Sequence, residues 1–378
     1  MTVHLAQSGT SSNDFILAFM RCIAKSLGNH YDDNYDVRRF GPSHTSTRER
    51  AQRLFLDRGL MTSGHASTSV STAIELVAPR LDKLEWLFSI LADQESKDLV
   101  VQLMAFRALG YRKVKLPLNT PQHWAALVKL DSLTKGAETL DLGYLDWKIH
   151  KMDLSSIGYP LTMFYSSLGV YNDFVVEQYR CETDTGTLEV KPGDCVIDAG
   201  GCYGDTALYF SIKAGPAGKV FSFEFLPDSI AIFRRNMELN PQASARVKLV
   251  EHPIWSVSGE SLFVEACGPG THVKATSDDP NAVRVSTLTI DDLFREQVLE
   301  RIDFIKMDIE GAELQALKGA ERTLIGCKPK LAIALYHRID DFWEIPQYLD
   351  SLKLGYRFYI RHFTIYSEET MLFAVADE

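Results

Sequence analysis

From Lys191 onward the chain alternates apolar strand-like runs with amphipathic helical ones, and no other feature limits its fold as tightly. DCVIDAGG is followed by GDTALYFSIKA, KVFSFEF by DSIAIFRRNMELN, and RVKLVEHPIW supplies a third strand. ESLFVEACGPGTHVKAT, with glycine–proline turns between strand-like flanks, reads as a hairpin insertion. The alternation then resumes through TIDDLFREQVL, IDFIKMDIEG, AELQALKGAERTL, KLAIALYH and DFWEIPQYLDSL. Such repetition predicts an α/β fold, a mostly parallel, Rossmann-like sheet with helices on both faces. The terminal YRFYIRHFTIYSEETMLFAVA holds two strands with no room for a helix between them, so the sheet is expected to close with an antiparallel hairpin strand.

A chain of 378 residues exceeds the usual size of one domain. The segment before the alternation reads as a mainly helical domain over 1–150, expected to cover the cleft or mediate a homodimer. DFILAFMRCIAKSL spaces its apolar residues as a helix does, and EWLFSILADQESKDLVVQLMAFRAL is the strongest helical stretch, with a break expected near Asp93. Residues 1 to about 14 look frayed, and 41–72 mixes loop composition with one possible helix. YRKVKLP and FVVEQYRCETDTGTLEV read as connecting segments and short strands; the second lies in a connecting segment and cofactor lid expected over 151–189, ahead of the α/β domain at 190–378. Tyr179 and Glu177 are the lid's candidate contacts.

A net charge of −10 argues against a nucleic-acid partner, which needs a basic face. No window approaches the roughly 18 apolar residues of a membrane span, and MTVHLAQSGTSSNDF lacks the pattern of a secretory signal. The six cysteines, Cys22, Cys181, Cys195, Cys202, Cys267 and Cys327, form no C-x-x-C pair. They read as reduced thiols, and the expected location is the cytoplasm.

In a doubly wound sheet the ligand sits beyond the carboxyl ends of the strands, near the turn after the first. Gly200, Gly201 and Gly204 occupy that turn. The dinucleotide fingerprint G-x-G-x-x-G, started at Gly200, meets Cys202 and Asp205 where glycines belong, so a nicotinamide cofactor is disfavoured. The pattern is instead D-x-G-x-x-x-G, running from Asp198 through Tyr203 to the helix opening at Gly204, Asp205 and Thr206. It suits S-adenosylmethionine, whose amino-acid end carries an ammonium for Asp198 and a carboxylate for the N–H groups at the helix start. Glu224, ending the second strand, is placed to accept both ribose hydroxyls, and Phe225 to flank the adenine. The third strand's exit, EHPIW, offers Pro253, Ile254 and Trp255 as an adenine wall, with His252 nearby.

The fourth strand leaves through D-x-E-G, placing Asp308 and Glu310 on the same side of the sheet. Asp308 is a candidate for the cofactor's ammonium, for the acceptor or for a divalent cation, and Glu310 for positioning the acceptor or acting as a base. Together they offer the one weak metal signal, a magnesium-type oxygen pair. Helix capping is the competing reading for Glu310 and Glu313, both in a first turn. His337 and His362, at the exits of the fifth and sixth strands, are candidate bases for a hydroxyl proton. Arg361 reads as a partner for an acidic group or the histidines. Asp291 and Asp292 read as helix-start residues.

These blocks in order resemble the FkbM-type S-adenosylmethionine-dependent methyltransferases. The resemblance rests on VKPGDCVIDAGGCYGDTALYF, FSFEFLPDSIAIFRRNMELNP, VSTLTIDDL and IDFIKMDIEGAELQALKGAERTL, with ALYHRIDDFWEIPQYL, YIRHFT and ETMLFAVA downstream. It spans about 190–376, and LADQESKDLVVQLMAFRALG, KVKLP and FVVEQY look like the extension of longer members. The resemblance implies methyl transfer to a hydroxyl of a sugar or of a polyketide-type natural product, or, in some relatives, to a peptide amide nitrogen. By position it carries over Asp198 to Thr206 as cofactor loop, Glu224 as ribose carboxylate and Asp308 as part of D-x-E-G. EHPIW departs from the family pattern. A fold retained as a binding or scaffold protein without catalysis is the alternative from another class.

Overall fold

The structure is a computed structural model and describes residues 13–40, 70–142, 148–265, 272–274, 283–297 and 299–376. Its centre is a seven-stranded sheet of β1 (Cys195–Ala199), β2 (Lys219–Phe223), β3 (Val247–Val250), β4 (Phe304–Met307), β5 (Lys330–Ala334), β6 (Tyr356–His362) and β7 (Thr370–Ala376). Their spatial order is β6-β7-β5-β4-β1-β2-β3. β1 to β5 are parallel, and β7 runs antiparallel to both neighbours, β5 and β6. The expected Rossmann-like sheet with a closing antiparallel strand is therefore present. All residues of β1 and β4 are buried, as helices on both faces require. That leaves Asp198 and Lys306, inside those two strands, as charges with no access to water.

The amino-terminal helices α1 (Asp14–Leu27), α2 (Leu81–Ile90) and α3 (Gln94–Leu109) share one core with the sheet: Phe15, Phe19, Leu103 and Phe106 belong to the cluster of Leu331, Phe358, Ile360 and Leu372. The break near Asp93 is real. Its carboxylate accepts the N–H of Ser96 at 2.8 Å and caps α3. The same segment closes the sheet's outer edge, where Ala92 N–H donates to the Phe358 carbonyl at 2.9 Å and Arg361 pairs with Asp93 at 2.7 Å. An open β6 would otherwise present unpaired backbone.

On the opposite face, three short antiparallel strands, Thr139–Asp141, Lys148–Asp153 and Thr162–Tyr165, straddle residue 150, where the helical region was expected to end. Asn236 and Asn240, on and just past the helix Pro227–Leu239, bind the backbone of Phe164 and Thr162, fixing this small sheet beside the glycine loop. FVVEQY is only partly as expected, because Tyr171–Val175 is a single π-helical turn, not a strand. The expected hairpin insertion gains a third strand: Ser261–Glu265 pairs with both His272–Lys274 and Val283–Ser286. Cys267 lies outside the described residues, as does most of 41–72. No described helix is long and apolar enough to cross a membrane.

Candidate functional site

Gly200 has φ 91°, and a Cβ there would lie 2.0 Å from the Asp308 carbonyl oxygen. A Cβ on Gly201 would lie 2.1 Å from Ser222 Oγ. Glycine is thus demanded because the loop presses against the exits of β4 and β2, not only because it turns. Gly204, at φ 82°, opens helix α4 (Asp205–Ala214), and Tyr203 is buried with its carbonyl accepting from Asn236.

Beneath the loop a polar row crosses three strands. Ser222, Asp198 and Lys306 are register partners on β2, β1 and β4. Asp198 accepts from Thr206 Oγ1 at 2.9 Å and Ser222 Oγ at 2.7 Å, and lies 3.3 Å from Lys306 Nζ, which donates to the Gly200 carbonyl at 2.6 Å. Burial opposes the charge on Lys306, but Asp198, Asp308 and Asp205 outweigh it and hold the ammonium above its ordinary pKa. Asp198, expected to meet the cofactor's ammonium, is fully buried and engaged from below the loop, and Thr206 is one of its donors.

The lid segment is also rearranged. Glu177, a candidate lid contact, accepts from Tyr159 and pairs with Lys213 and Arg180. Tyr179 is buried with its ring 5.4 Å from Lys306 Nζ and its hydroxyl accepting from Gln178 at 2.8 Å. Asp205, in the first turn of α4, lies against buried Asp173 from the π-helical turn.

Glu224 follows β2 and is buried. Its Oε1 accepts from the N–H groups of Phe225 at 2.6 Å and Leu226 at 2.8 Å. Burial pushes its pKa up to about 7 against the pull of these donors and of the Cys202 N–H. Glu224 therefore faces the glycine loop, and Phe225 is half-buried beside it. Beyond β3, Pro253 and Ile254 are buried and Trp255 half-buried. The Trp255 carbonyl lies where a Cβ on Gly319 would strike it, at 2.1 Å, and its N–H donates to Leu288. His252 is exposed, with Nδ1 2.9 Å from the Ser286 carbonyl.

Beyond β4 and β5 stands the most charged cluster. His337 is buried between carboxylates: Glu313 Oε1 is 2.9 Å from Nδ1, while Asp308 Oδ1 and Glu310 Oε2 are 3.3 and 3.7 Å from Nε2. Glu313 is fully buried and also accepts the Ile309 N–H at 2.8 Å; Asp308 also accepts from Tyr336 Oη at 2.9 Å. Burial alone would lower the imidazole pKa, but Glu313, Glu310 and Asp308 raise it well above the ordinary value. Asp308, Glu313 and His337 are close enough to surround a cation. The two carboxylates address opposite ring nitrogens, and Glu310, a possible metal partner of Asp308, also faces the imidazole. His362 has its Nδ1 2.9 Å from Thr370 Oγ1 and its Nε2 3.3 Å from Thr364 Oγ1, so both nitrogens contact hydroxyls of the terminal hairpin. Arg361 does hold acidic groups, Asp93 and Glu95 of the α3 cap.

Four participants escaped the sequence reading. Lys306 had a signal, a cation inside an apolar strand, and Glu313 lay in D-x-E-G-A-E under a capping reading. Asp173 and Tyr336 carried none, since their contacts join segments distant in sequence.

Residues 198–358 match the model of the methyltransferase FkbM domain. Methyltransferase sdnD of Sordaria araneosa is 32% identical over 189 residues, covering 42% of this chain and 72% of the relative. The chain belongs to the FkbM methyltransferase family. The hexuronic acid methyltransferase AglP of Haloferax volcanii is 30% identical, over 39% of this chain and 60% of its own length. A crystal structure of an FkbM methyltransferase from Methylobacillus flagellatus aligns with a TM-score of 0.48 and 18% identity, covering 88% of this chain and 71% of that one.

The family implies S-adenosylmethionine, and the donor set suits it. Carboxylates surround the loop: Glu224 and Asp205 act on Cys202, Asp173 adjoins Asp205, and the Asp308 backbone touches Gly200. The buried Lys306 is already committed to Asp198 and Gly200. A pyrophosphate would meet repulsion there, whereas a cationic cofactor would meet attraction.

Proposed function

We propose that this family member methylates a hydroxyl oxygen of a sugar or a polar natural product. The reading is carried by one observation, the buried imidazole of His337 held between Glu313 and Asp308. An alcohol is a poor nucleophile until its proton leaves, so its methylation calls for a base; an amide nitrogen calls for one too, and the hydroxyl is favoured over it by the sugar-acting relative. The bound cofactor supplies a methyl group on a sulfonium. The chain supplies the rest. His337 Nε2 takes the hydroxyl proton, while Glu313 fixes the ring through Nδ1 and supports the charge that develops, as a buried carboxylate does for a catalytic histidine. Asp308 and Glu310, on the Nε2 side, orient the acceptor. These carboxylates favour the protonated imidazole and raise its pKa, so its use as a base is favoured at higher pH, where the reaction accelerates. Glu224 binds the ribose hydroxyls, and the Gly200–Gly204 turn holds the amino-acid end. Holding both reactants in line contributes up to on the order of 7–11 kcal/mol. The sugar class draws support from the hexuronic acid methyltransferase among the relatives.

The test is incubation with S-adenosylmethionine and three acceptors: a hexuronic acid glycoside, a hydroxylated polyketide and a peptide amide. Methyl ethers on either of the first two support the proposal. Methylation of the amide alone overturns it in favour of nitrogen transfer. Cofactor binding without turnover of any acceptor favours the scaffold alternative.

A further inference from the structure

Asp173 and Asp205 form a carboxylate pair that the methyl-transfer step does not use. Asp173 sits on the π-helical turn Tyr171–Val175, Asp205 in the first turn of α4, and both are buried. Tyr165 Oη donates to Asp173 Oδ2 at 2.9 Å, and Gln178 Nε2 donates to Asp173 Oδ1, also at 2.9 Å. Lys306 on β4 acts on both carboxyls electrostatically, and the helix Pro121–Ser132 sets the His123 ring edge-on to Tyr171 of the turn, 4.9 Å between centroids. Two like charges so close and so dry cannot both ionise, so the pair shares a proton. Burial raises both carboxyls, Asp173 well above its ordinary value, and Lys306 only partly offsets this.

The second observation is a surplus of acceptors. Among the described residues, Gln178 Oε1, buried next to the pair, accepts no hydrogen bond, and Asp205 Oδ1 receives no N–H or O–H beyond the proton the pair can share. Buried acceptors without donors are costly and point to a donor-rich ligand. An ammonium is such a ligand. It brings three N–H donors and a positive charge, and the backbone N–H groups at the start of α4 lie ready for a neighbouring carboxylate.

We propose that the Asp173–Asp205 pair is the seat of the cofactor's α-ammonium, and that the incoming ammonium displaces the shared proton to solvent. This rests on the S-adenosylmethionine reading and moves the ammonium contact from Asp198 to a pair outside the sheet. The exchange balances: the pair goes from one negative charge to two, the zwitterionic amino-acid end adds none, and one proton enters the buffer.

Calorimetry of S-adenosylhomocysteine binding in buffers of different ionisation enthalpy counts that proton. 5′-Methylthioadenosine, which keeps the adenosine but lacks the amino acid, isolates it from any proton that Glu224 releases to the ribose. At neutral pH the full ligand releases close to one proton more than the truncated one. In Asp173→Asn the difference vanishes, S-adenosylhomocysteine binds about tenfold or more weakly, and methylthioadenosine binds as before. Equal proton release by the two ligands in the unaltered protein, which needs no variant to fold, overturns the proposal. So does an Asp173→Asn protein that keeps both the difference and the affinity. Failure of S-adenosylhomocysteine to bind at all overturns the cofactor reading itself.

Discussion

Lys306 and Asp198 face each other across β4 and β1, 3.3 Å apart in the middle of the sheet, with neither reaching solvent. Through Lys306 the pair holds the Gly200 carbonyl, and through Thr206 it holds the start of α4, so the cofactor turn is braced from beneath. Removing one partner leaves an uncompensated buried charge. Lys306→Met is therefore expected to destabilise the protein by about 3–5 kcal/mol, read from the shift of its urea unfolding midpoint. A midpoint unchanged from the parent would deny the pair this bracing role.

The imidazole of His337 is the proposed proton acceptor. His337→Gln is expected to lower kcat by roughly 10²–10⁴, the usual worth of a positioned base, while binding of S-adenosylhomocysteine stays within about twofold. Unimpaired turnover would remove His337 from the mechanism.

Glu313 acts through His337 and is therefore a positioning residue. Because it helps hold the imidazole pKa above 6.5, the rate of methyl transfer rises with pH along a limb that lies above that value. Glu313→Gln removes one negative neighbour, so the limb is expected to move to lower pH while its plateau falls. A merely structural defect would lower the plateau without moving the limb.

Cofactor affinity should depend on Glu224. Its carboxyl titrates at about 7, and only the ionised form accepts both ribose hydroxyls. The Kd for S-adenosylhomocysteine is thus expected to fall as pH rises through about 7. Glu224→Gln should weaken binding by roughly 10-fold or more, the worth of a hydrogen bond to a charged group, and should flatten the pH dependence of methylthioadenosine binding, to which the amino-acid end contributes nothing. Titrations with both ligands check these effects, and an unaltered pH dependence of methylthioadenosine binding in the variant would exclude the ribose contact.

The sheet was legible because a strand buried on both faces must be apolar throughout and a covering helix must be apolar on one side. Those patterns are local, so β1 to β7, the break before α3 at Asp93 and the glycine turn could be read from residue order. The rim positions of Glu224, Asp308 and His337 followed from the same rule, since each closes a strand that the pattern identifies. What side chains do after reaching the rim depends on neighbours from other strands. Asp198 looked like a ligand for the cofactor until register placed Ser222 and Lys306 on either side of it. That Thr370 on the paired strand and Thr364 in the following turn lie against the nitrogens of His362, and Glu313 against Nδ1 of His337, is set by strand pairing and packing rather than residue order. Asp173 became a partner of Asp205 only when a π-helical turn packed against the start of α4. The sequence by itself determined the fold and the cofactor's place in it, because hydrophobic periodicity is written along the chain. Tertiary structure decided which carboxylates and histidines are buried and which groups they face, because burial and proximity set charge and hydrogen bonding, and both are created by packing.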